Sequence, residues 1–327
     1  YVTWTTFQED PAELASYTPF VEYGLNEKSL GNNVVGGVTK SYHNSTGFHH
    51  TVKLQNVRLG LYYYRVGGKG KEMSSEVYQF RVSNSSKVIL YGDMGSFRSS
   101  NTIDKVNKRL LNDSQISMVY HVGDISYADD FPGPLFDKMF QHWLGMVEGI
   151  TSLVPYQVCP GNHDQGCKIP PLCHDWKQDF RPYNYIFYMP GYEKWNHNMF
   201  YSFDQGDIHF TSFSTETDYP NSPFPQKFGD QMTWFVQDLK AAVANRKKVP
   251  WIVVIGHRPI YSSNIQFSNN SIPIKDARIL QSSFEYLFNH YHVDIYMVGH
   301  VHSYERTYPV FQNLLDKDAT VYIVNGG

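Results

Sequence analysis

Cysteine is scarce in this 327-residue chain, which holds three: Cys159, Cys167 and Cys173. Without a second cysteine pair a zinc ribbon is excluded, and an odd count leaves one thiol unpaired whatever the connectivity. Cys167 and Cys173 flank a short proline-containing loop that a small disulfide would close, and Cys159 ends an apolar run that suits a buried thiol. Long hydrophobic runs are missing as well. Trp251-Ile-Val-Val-Ile255 is typical of the longest, far short of the roughly 20 residues that a membrane-spanning helix requires. Nor does one charge dominate: 28 Lys plus Arg stand against 31 Asp plus Glu, a net charge of −3, with no long basic block. That balance argues against a general binder of nucleic acid or membrane surfaces. The 24 glycines and 17 prolines follow no period, which excludes collagen-like and low-complexity chains. What the chain does have is apolar material, 41% of residues, with 25 Tyr and 21 Phe among them. That is enough for a sizeable core, and the length allows two domains.

Residues 1 to about 82 show no strong helical period. Short alternating or aromatic runs, such as Tyr1-Val-Thr-Trp-Thr-Thr6 and Leu61-Tyr-Tyr-Tyr-Arg-Val66, are separated by glycine turns at Gly24, Gly31, Gly36 and Gly67. This spacing predicts a small antiparallel β-sandwich over 1–82, with Ser83-Asn-Ser-Ser-Lys87 as its linker. From residue 88 to 327 strands alternate with helical patterns, which predicts an α/β domain. Helical faces are expected at Ile103, Val106 and Leu110, at Leu135, Met139, Trp143 and Met146, at Met232, Phe235, Leu239 and Val243, and at Ile279, Phe284 and Leu287. Four Asn-X-Ser/Thr triplets, at Asn44, Asn84, Asn112 and Asn269, point to a glycosylated secretory-pathway protein. The chain opens at Tyr1 without a Met and stops at Gly327 straight after a strand-like run, so both ends are expected to be trimmed.

The chemistry lies where the strands stop. Val88-Ile-Leu-Tyr91 runs into Gly92-Asp93-Met94-Gly95, and Met118 to Val122 into Gly123-Asp124-Ile125-Ser126-Tyr127. Tyr156 to Cys159 leads through Pro160 to Gly161-Asn162-His163-Asp164, Trp251 to Ile255 leads to Gly256-His257, and the last run to Gly299-His300-Val301-His302. In α/β sheets ligands bind outside the carboxyl ends of the strands, so these five turns are expected to converge on one crevice. Asp carboxylates and His imidazoles suit divalent and trivalent transition metals, and about seven donors are too many for one ion with an open position. The spacing therefore predicts two ions bridged by one carboxylate, that of Asp124. Gly206-Asp207 falls inside a hairpin-like stretch and is read as an ordinary turn; His121 and His209 are read as structural.

This order of motifs resembles the metallophosphoesterase signature, and Tyr127, three residues after the second Asp, resembles the purple acid phosphatases. The run Gly299-His-Val-His-Ser-Tyr-Glu-Arg-Thr-Tyr308 is similar to that subfamily's final motif. Val2-Thr-Trp-Thr5, Val21-Glu-Tyr-Gly24 and Tyr62-Tyr-Tyr-Arg-Val66 resemble the fibronectin type III-like domain of its larger, two-domain members. The resemblance implies an α/β/β/α metallophosphoesterase sandwich preceded by the small all-β sandwich domain. It implies Fe(III) held by Asp93, Asp124, Tyr127 and His302, and a divalent ion (Zn, Mn or Fe) held by Asp124, Asn162, His257 and His300. His163 would be a donor to the phosphate or the leaving group. The implied activity is that of a secreted or lysosome- or vacuole-like acid phosphatase that hydrolyses small phosphomonoesters by attack of a metal-bound hydroxide. No nucleic-acid or membrane-spanning partner is implied, and a homodimer is left open.

Charge bookkeeping supports the set: two such ions outweigh two carboxylates, a tyrosinate and a hydroxide by a small positive remainder, ready for a phosphate anion. One departure stands out. Plant members carry a His pair after the fourth motif, whereas this chain reads His257-Arg-Pro-Ile-Tyr-Ser-Ser-Asn-Ile-Gln266, which shifts the expected burden of proton delivery onto His163. Arg258 is read either as a phosphate contact or as half of a structural ion pair. A protein phosphatase of the Asp-Arg-Gly type is disfavoured by Ile125-Ser126-Tyr127. A phosphodiesterase or nucleotide diphosphatase with the same metals remains the alternative reading, and a catalytically inactive binding protein is disfavoured by the complete ligand set.

Overall fold

Alternating branched and aromatic residues between glycine turns form strands throughout the first eighty residues of the computed structural model, which describes residues 1–7, 17–42, 45–69, 74–97, 99–168, 179–264 and 272–327. The strands are β1 (Val2–Phe7), β2 (Thr18–Gly24), β3 (Asn32–Val35), β4 (Val38–Lys40), β5 (Gly47–Val52), β6 (Gly60–Lys69) and β7 (Tyr78–Val82). They pair in two antiparallel sheets, ordered β1-β5-β4 and β3-β2-β6-β7. The period of two puts Val21, Tyr23, Val52, Tyr62, Tyr64 and Val66 on the inner faces, with Trp4 and Phe80 packed against them.

Two further sheets follow. β8 (Val88–Tyr91), β9 (Met118–Val122) and β10 (Tyr156–Cys159) form a parallel sheet in the order β10-β9-β8. β11 (Tyr201–Gln205), β12 (Ile208–Ser212), β13 (Trp251–Ile255), β14 (Ile295–Val298), β15 (Tyr304–Arg306) and β18 (Val321–Asn325) form a mixed sheet in the order β11-β12-β13-β14-β18-β15. A small hairpin, β16 (Val310–Phe311) with β17 (Leu314–Leu315), lies between β15 and β18 in the chain. The sheets face each other across Tyr120, Val158, Tyr201, Phe210, Val253 and Ile255 in one core, where the Tyr120 and Tyr201 hydroxyls meet at 2.8 Å. Helices α1 (Ser100–Asn112) and α2 (Pro134–Thr151) cover the parallel sheet. The mixed sheet is covered by a helix at Gln231–Asn245 and by a run made of Ile272–Leu280, a π-helical turn at Gln281–Glu285 and Tyr286–His290. The domain is thus the expected α/β/β/α sandwich.

The buried face of α2 differs from the expected one. Trp143 is fully buried as expected, but Leu135 is 46% exposed, Met139 and Met146 are only partly buried, and the face is completed by Phe136, Phe140, Val147 and Ile150. Two overlapping apolar stripes run along this helix, and the one with more aromatic area goes inward because more surface leaves water there. The Gly206-Asp207 turn joins β11 to β12, as read from the sequence. It also holds residues 83–87 in place: Gln205 donates to the Ser83 and Ser85 carbonyls, and the Asp207 N–H donates to Ser86 Oγ.

The β-sandwich is fastened to α2 by Asp137, which is buried in the helix's first turn. Its carboxylate accepts from the Tyr42 hydroxyl (2.6 Å), Ser45 Oγ (3.0 Å), and the Thr46 N–H (3.0 Å) and hydroxyl (2.6 Å). Burial alone would raise its pKa, but the bonds from Thr46, Tyr42 and Ser45 outweigh that and hold it below the usual 3.8. A depressed carboxyl contributes stability that is complete above its unfolded pKa and is lost as pH falls through the folded one. Asp137→Ala, which strands several donors, is expected to cost about 2–4 kcal/mol at neutral pH. In thermal unfolding followed by circular dichroism, the gap to wild type should narrow below pH 3.8.

Candidate metal centre

The five glycine turns do meet. Beyond β8 the Asp93 N–H donates to the Gly123 carbonyl (3.1 Å), and beyond β13 and β14 the Gly299 N–H donates to the His257 carbonyl (3.0 Å). A lone bridge, Gly92 to Gly326, ties the parallel sheet to the end of β18. The strand ends come so close that side chains are forbidden at two of the glycines. A Cβ on Gly161 would stand 2.3 Å from both the N and Oδ1 of Asp124, and one on Gly299 would stand 2.2 Å from Asp93 Oδ2. The residues that follow are strained. Asp93, Asp124, Tyr127 and His300 all have positive φ, at 57°, 50°, 52° and 68°. Left-handed backbone at non-glycine residues is costly and gathers at functional sites, where the surrounding fold enforces it.

Asp124 lies at the centre and is 2% exposed. On one side its Oδ2 is 3.3 Å from the Tyr127 hydroxyl, which is itself 3.1 Å from Asp93 Oδ1 and 2.8 Å from His302 Nε2. His302 Nε2 also stands 3.4 Å from Asp93 Oδ1. On the other side Asp124 Oδ2 is 3.1 Å from His257 Nε2, which is 3.2 Å from His300 Nδ1. Donor atoms of Asp124, His257 and His300 all lie within 4.8 Å of one another. Asn162 follows Gly161 directly, and its Oδ1 is buried with no hydrogen-bond partner. Six of the seven expected donors therefore fall into two nests that share Asp124, and the seventh, Asn162, follows the glycine that packs on Asp124 and has a buried acceptor without a partner.

The electrostatics of these nests call for cations. Burial would lower the pKa of His257, but Asp124 and Asp93 push it up to about 10. For Asp124, burial acts upward and is outweighed by His257, His163 and His300, which hold it well below the usual carboxylate range. An orphaned amide oxygen, two carboxylates, a tyrosine and three imidazoles fit a pair of transition-metal ions by their chemistry.

His163 is brought to the same site. Its N–H donates to Asp124 Oδ1 (2.8 Å), its Nε2 is 3.9 Å from Asp124 Oδ2, and its ring lies 4.3 Å from that of Tyr127. Its Nδ1 is 2.9 Å from Asp129 Oδ1, and Asp129 also pairs with Lys168.

Sequence reasoning missed several residues that build this place. Asp129 sits five residues beyond Asp124, and its spacing alone does not show that a short turn, Ala128–Asp130, will fold it back. Asp164 accepts from the N–H groups of Asp124 (3.0 Å), Ile125 (3.0 Å) and Gly161 (2.8 Å), so it binds two of the motif turns together. Only its place in Gly161-Asn162-His163-Asp164 signalled it. The loop after β12 was also missed: Thr215 Oγ1 accepts from the N–H groups of His257 (3.3 Å) and Arg258 (3.1 Å), and Glu216 pairs with Arg258 (2.9 Å). Arg258, which also pairs with Asp276 (2.7 Å), is buried and engaged, so of its two readings the ion pair is the one realised. His121 is buried against Tyr156 and His209 lies between Asp204 and Asp238, both structural as read.

Residues 86–304 match the model of the calcineurin-like phosphoesterases, and residues 1–82 match that of the purple acid phosphatase N-terminal domain. The chain belongs to the purple acid phosphatase family. It is 32% identical to purple acid phosphatase 21 of Arabidopsis thaliana over 99% of this chain and 67% of that protein. It is 30% identical to acid phosphatase type 7 of Mus musculus over 95% of this chain and 68% of that protein. Among solved structures, the purple acid phosphatase PPD1 from yellow lupin seeds superposes with a TM-score of 0.77 at 26% identity, over 99% of this chain and 62% of the lupin chain. The chain thus spans about two thirds of the length of these family members.

The family fold leaves no room at the centre. Gly161→Ala should keep the far-ultraviolet spectrum, because the clash is local, yet drive Asp124 off its position. Elemental analysis of the purified variant is expected to show metal content reduced by about half or more, with retained full occupancy as the opposing result.

Proposed function

We propose that this chain is a metal-dependent acid phosphatase that hydrolyses phosphomonoesters at a dinuclear centre. One observation carries the reading: two nests of donors share the buried Asp124 carboxylate, with the Tyr127 hydroxyl in one of them. In this proposal Asp93, Asp124, Tyr127 and His302 hold Fe(III), and Asp124, Asn162, His257 and His300 hold Zn(II), Mn(II) or Fe(II). When bound, such a pair acidifies a water nucleophile at low pH and offsets charge on the phosphoryl oxygens.

The protein's own groups do the rest. Asp129 accepts from His163 Nδ1, which leaves Nε2 directed toward Asp124 and the site. Burial opposes protonation of His163, but the bond to Asp129 and the charge of Asp124 raise its pKa above the usual 6.5. It is thus imidazolium at acidic pH and suited to give a proton to the departing alkoxide. Arg258 shares its charge with Glu216 and Asp276 and supports the His257 and His300 loops rather than gripping substrate. Burial and the charges of Asp124 and Asp93 raise the pKa of the Tyr127 hydroxyl, so its proton would be displaced only by a strongly Lewis-acidic cation, the role assigned to the ferric ion.

The same reading divides the chain into a fibronectin type III-like domain at 1–82, a linker at 83–87 and the catalytic domain at 88–327. It places the protein in the secretory pathway, outside the cell or in a lysosome- or vacuole-like compartment, with glycans at the four sequons. Asn84 and Asn112 are exposed; Asn44 and Asn269 lie outside the described residues. Cys159 is a free, buried thiol and Cys167 is disulfide-bonded, while Cys173 lies outside the described residues. Among the described residues no helix is long and apolar enough to cross a membrane.

Two substitutions test the metal assignment. Tyr127→Phe removes the phenolate and should abolish the visible charge-transfer band; a band of unchanged intensity would refute its ligation. Asn162→Ala should keep that band but lose the divalent ion on dialysis, with turnover of a phosphomonoester at pH 5 falling by about a hundredfold, the scale on which disturbing a metal site acts.

A further inference from the structure

Two phenylalanines that belong to no ligand set stand beside the site. Phe97 is 65% exposed, although its ring is among the largest apolar groups a chain can bury. It lies in the loop that leaves Asp93, where the N–H groups of Gly95 and Ser96 donate to the carbonyls of Ile125 (3.2 Å) and Ser126 (3.1 Å). That loop therefore runs alongside the segment carrying Tyr127, whose ring fills the space next to Gly95. Phe131 closes the Ala128–Asp130 turn, its N–H donating to the Ala128 carbonyl (3.0 Å). The same turn presents Asp129 to His163. The two rings stack, with centroids 5.5 Å apart and planes at 16°.

We propose that Phe97, backed by Phe131, is a stacking platform for the leaving group, so that the site favours phosphomonoesters whose alcohol carries a flat aromatic ring close to the ester oxygen. The inference rests on the phosphatase reading and adds the substrate class to it. A leaving group that takes its proton from His163 has to lie on the flank where His163 stands. The Asp129 turn and the loop beyond Asp93 form that flank, and each carries a phenylalanine. Lys168, the cation beside His163, is paired with Asp129. The exposed Phe97 ring offers an apolar π-face on that flank, and aromatic rings stack offset on such a face.

The test compares metal-loaded wild type, Phe97→Ala and Phe97→Tyr on phenyl phosphate and glycerol 2-phosphate, each variant referred to wild type on the same ester. The ratio of kcat/KM for phenyl phosphate to that for glycerol 2-phosphate is expected to fall about tenfold in Phe97→Ala, mainly through KM, and to recover in Phe97→Tyr. Equal losses on both esters, or none on either, would overturn the platform. Calorimetric binding of phenylphosphonate and methylphosphonate separates this proposal from the one beneath it. A loss confined to phenylphosphonate upholds the platform even if wild type turns over neither ester, a result that would sink the phosphatase reading alone. Arms with phosphotyrosine and a nucleoside 5′-monophosphate show which kind of ring the platform accepts.

Discussion

A carboxylate almost fully removed from water, at the point where two sheets end, governs this molecule. Burying Asp124 is unfavourable unless positive charge or donors surround it, and the chain surrounds it with His257, Tyr127 and the N–H of His163. Those partners reach it only because Gly161 lets the third turn lie directly on its backbone, and because Gly299 does the same for Asp93. The left-handed backbone at Asp93, Asp124, Tyr127 and His300 is the conformational cost of aiming these short side chains inward. Fold stability and chemistry therefore meet at one place, and the sandwich supplies the energy that the site consumes.

Around this centre a second set of groups holds the turns in position. Asp164 binds the Asp124 turn to the Gly161 turn through three backbone N–H groups. The loop after β12 holds the fourth turn, with Thr215 bonded to the backbone of His257 and Arg258 and with Glu216, together with Asp276, neutralising Arg258. Arg258, which the sequence leaves between a phosphate contact and an ion pair, is thus consumed by structure. Asp129 has the opposite fate, since a residue with no place in the motif ends up fixing the tautomer and direction of the proposed proton donor. Lys168 completes that arrangement by pairing with Asp129.

The N-terminal sandwich is built on the same logic at a different boundary. Asp137 is buried between the two parts and gathers hydroxyls and an N–H from the 42–46 segment, while the Arg81 N–H donates to the Leu153 carbonyl (2.8 Å) at the end of β7. Tyr42 packs into the core of the α/β domain. A buried, fully engaged carboxylate makes the junction orientationally specific, because each hydroxyl must meet a fixed lone pair.

By itself the amino-acid order determined the layered α/β architecture, the β-sandwich ahead of it and the glycine turns whose Asp, Tyr and His side chains gather around Asp124. Strand and helix periods are local, and a glycine followed by Asp, Asn or His at a strand end is a local signal that the sheet's topology carries to one crevice. Tertiary structure alone decided which stripe of α2 is buried, that Arg258 is an ion-pair partner, that Asp129 backs His163 and that Phe97 is left in the open against Phe131. Each of those depends on residues tens to hundreds of positions apart, such as Arg258 with Glu216 or Asp93 with Gly299, and no local spacing encodes a distance across two packed sheets.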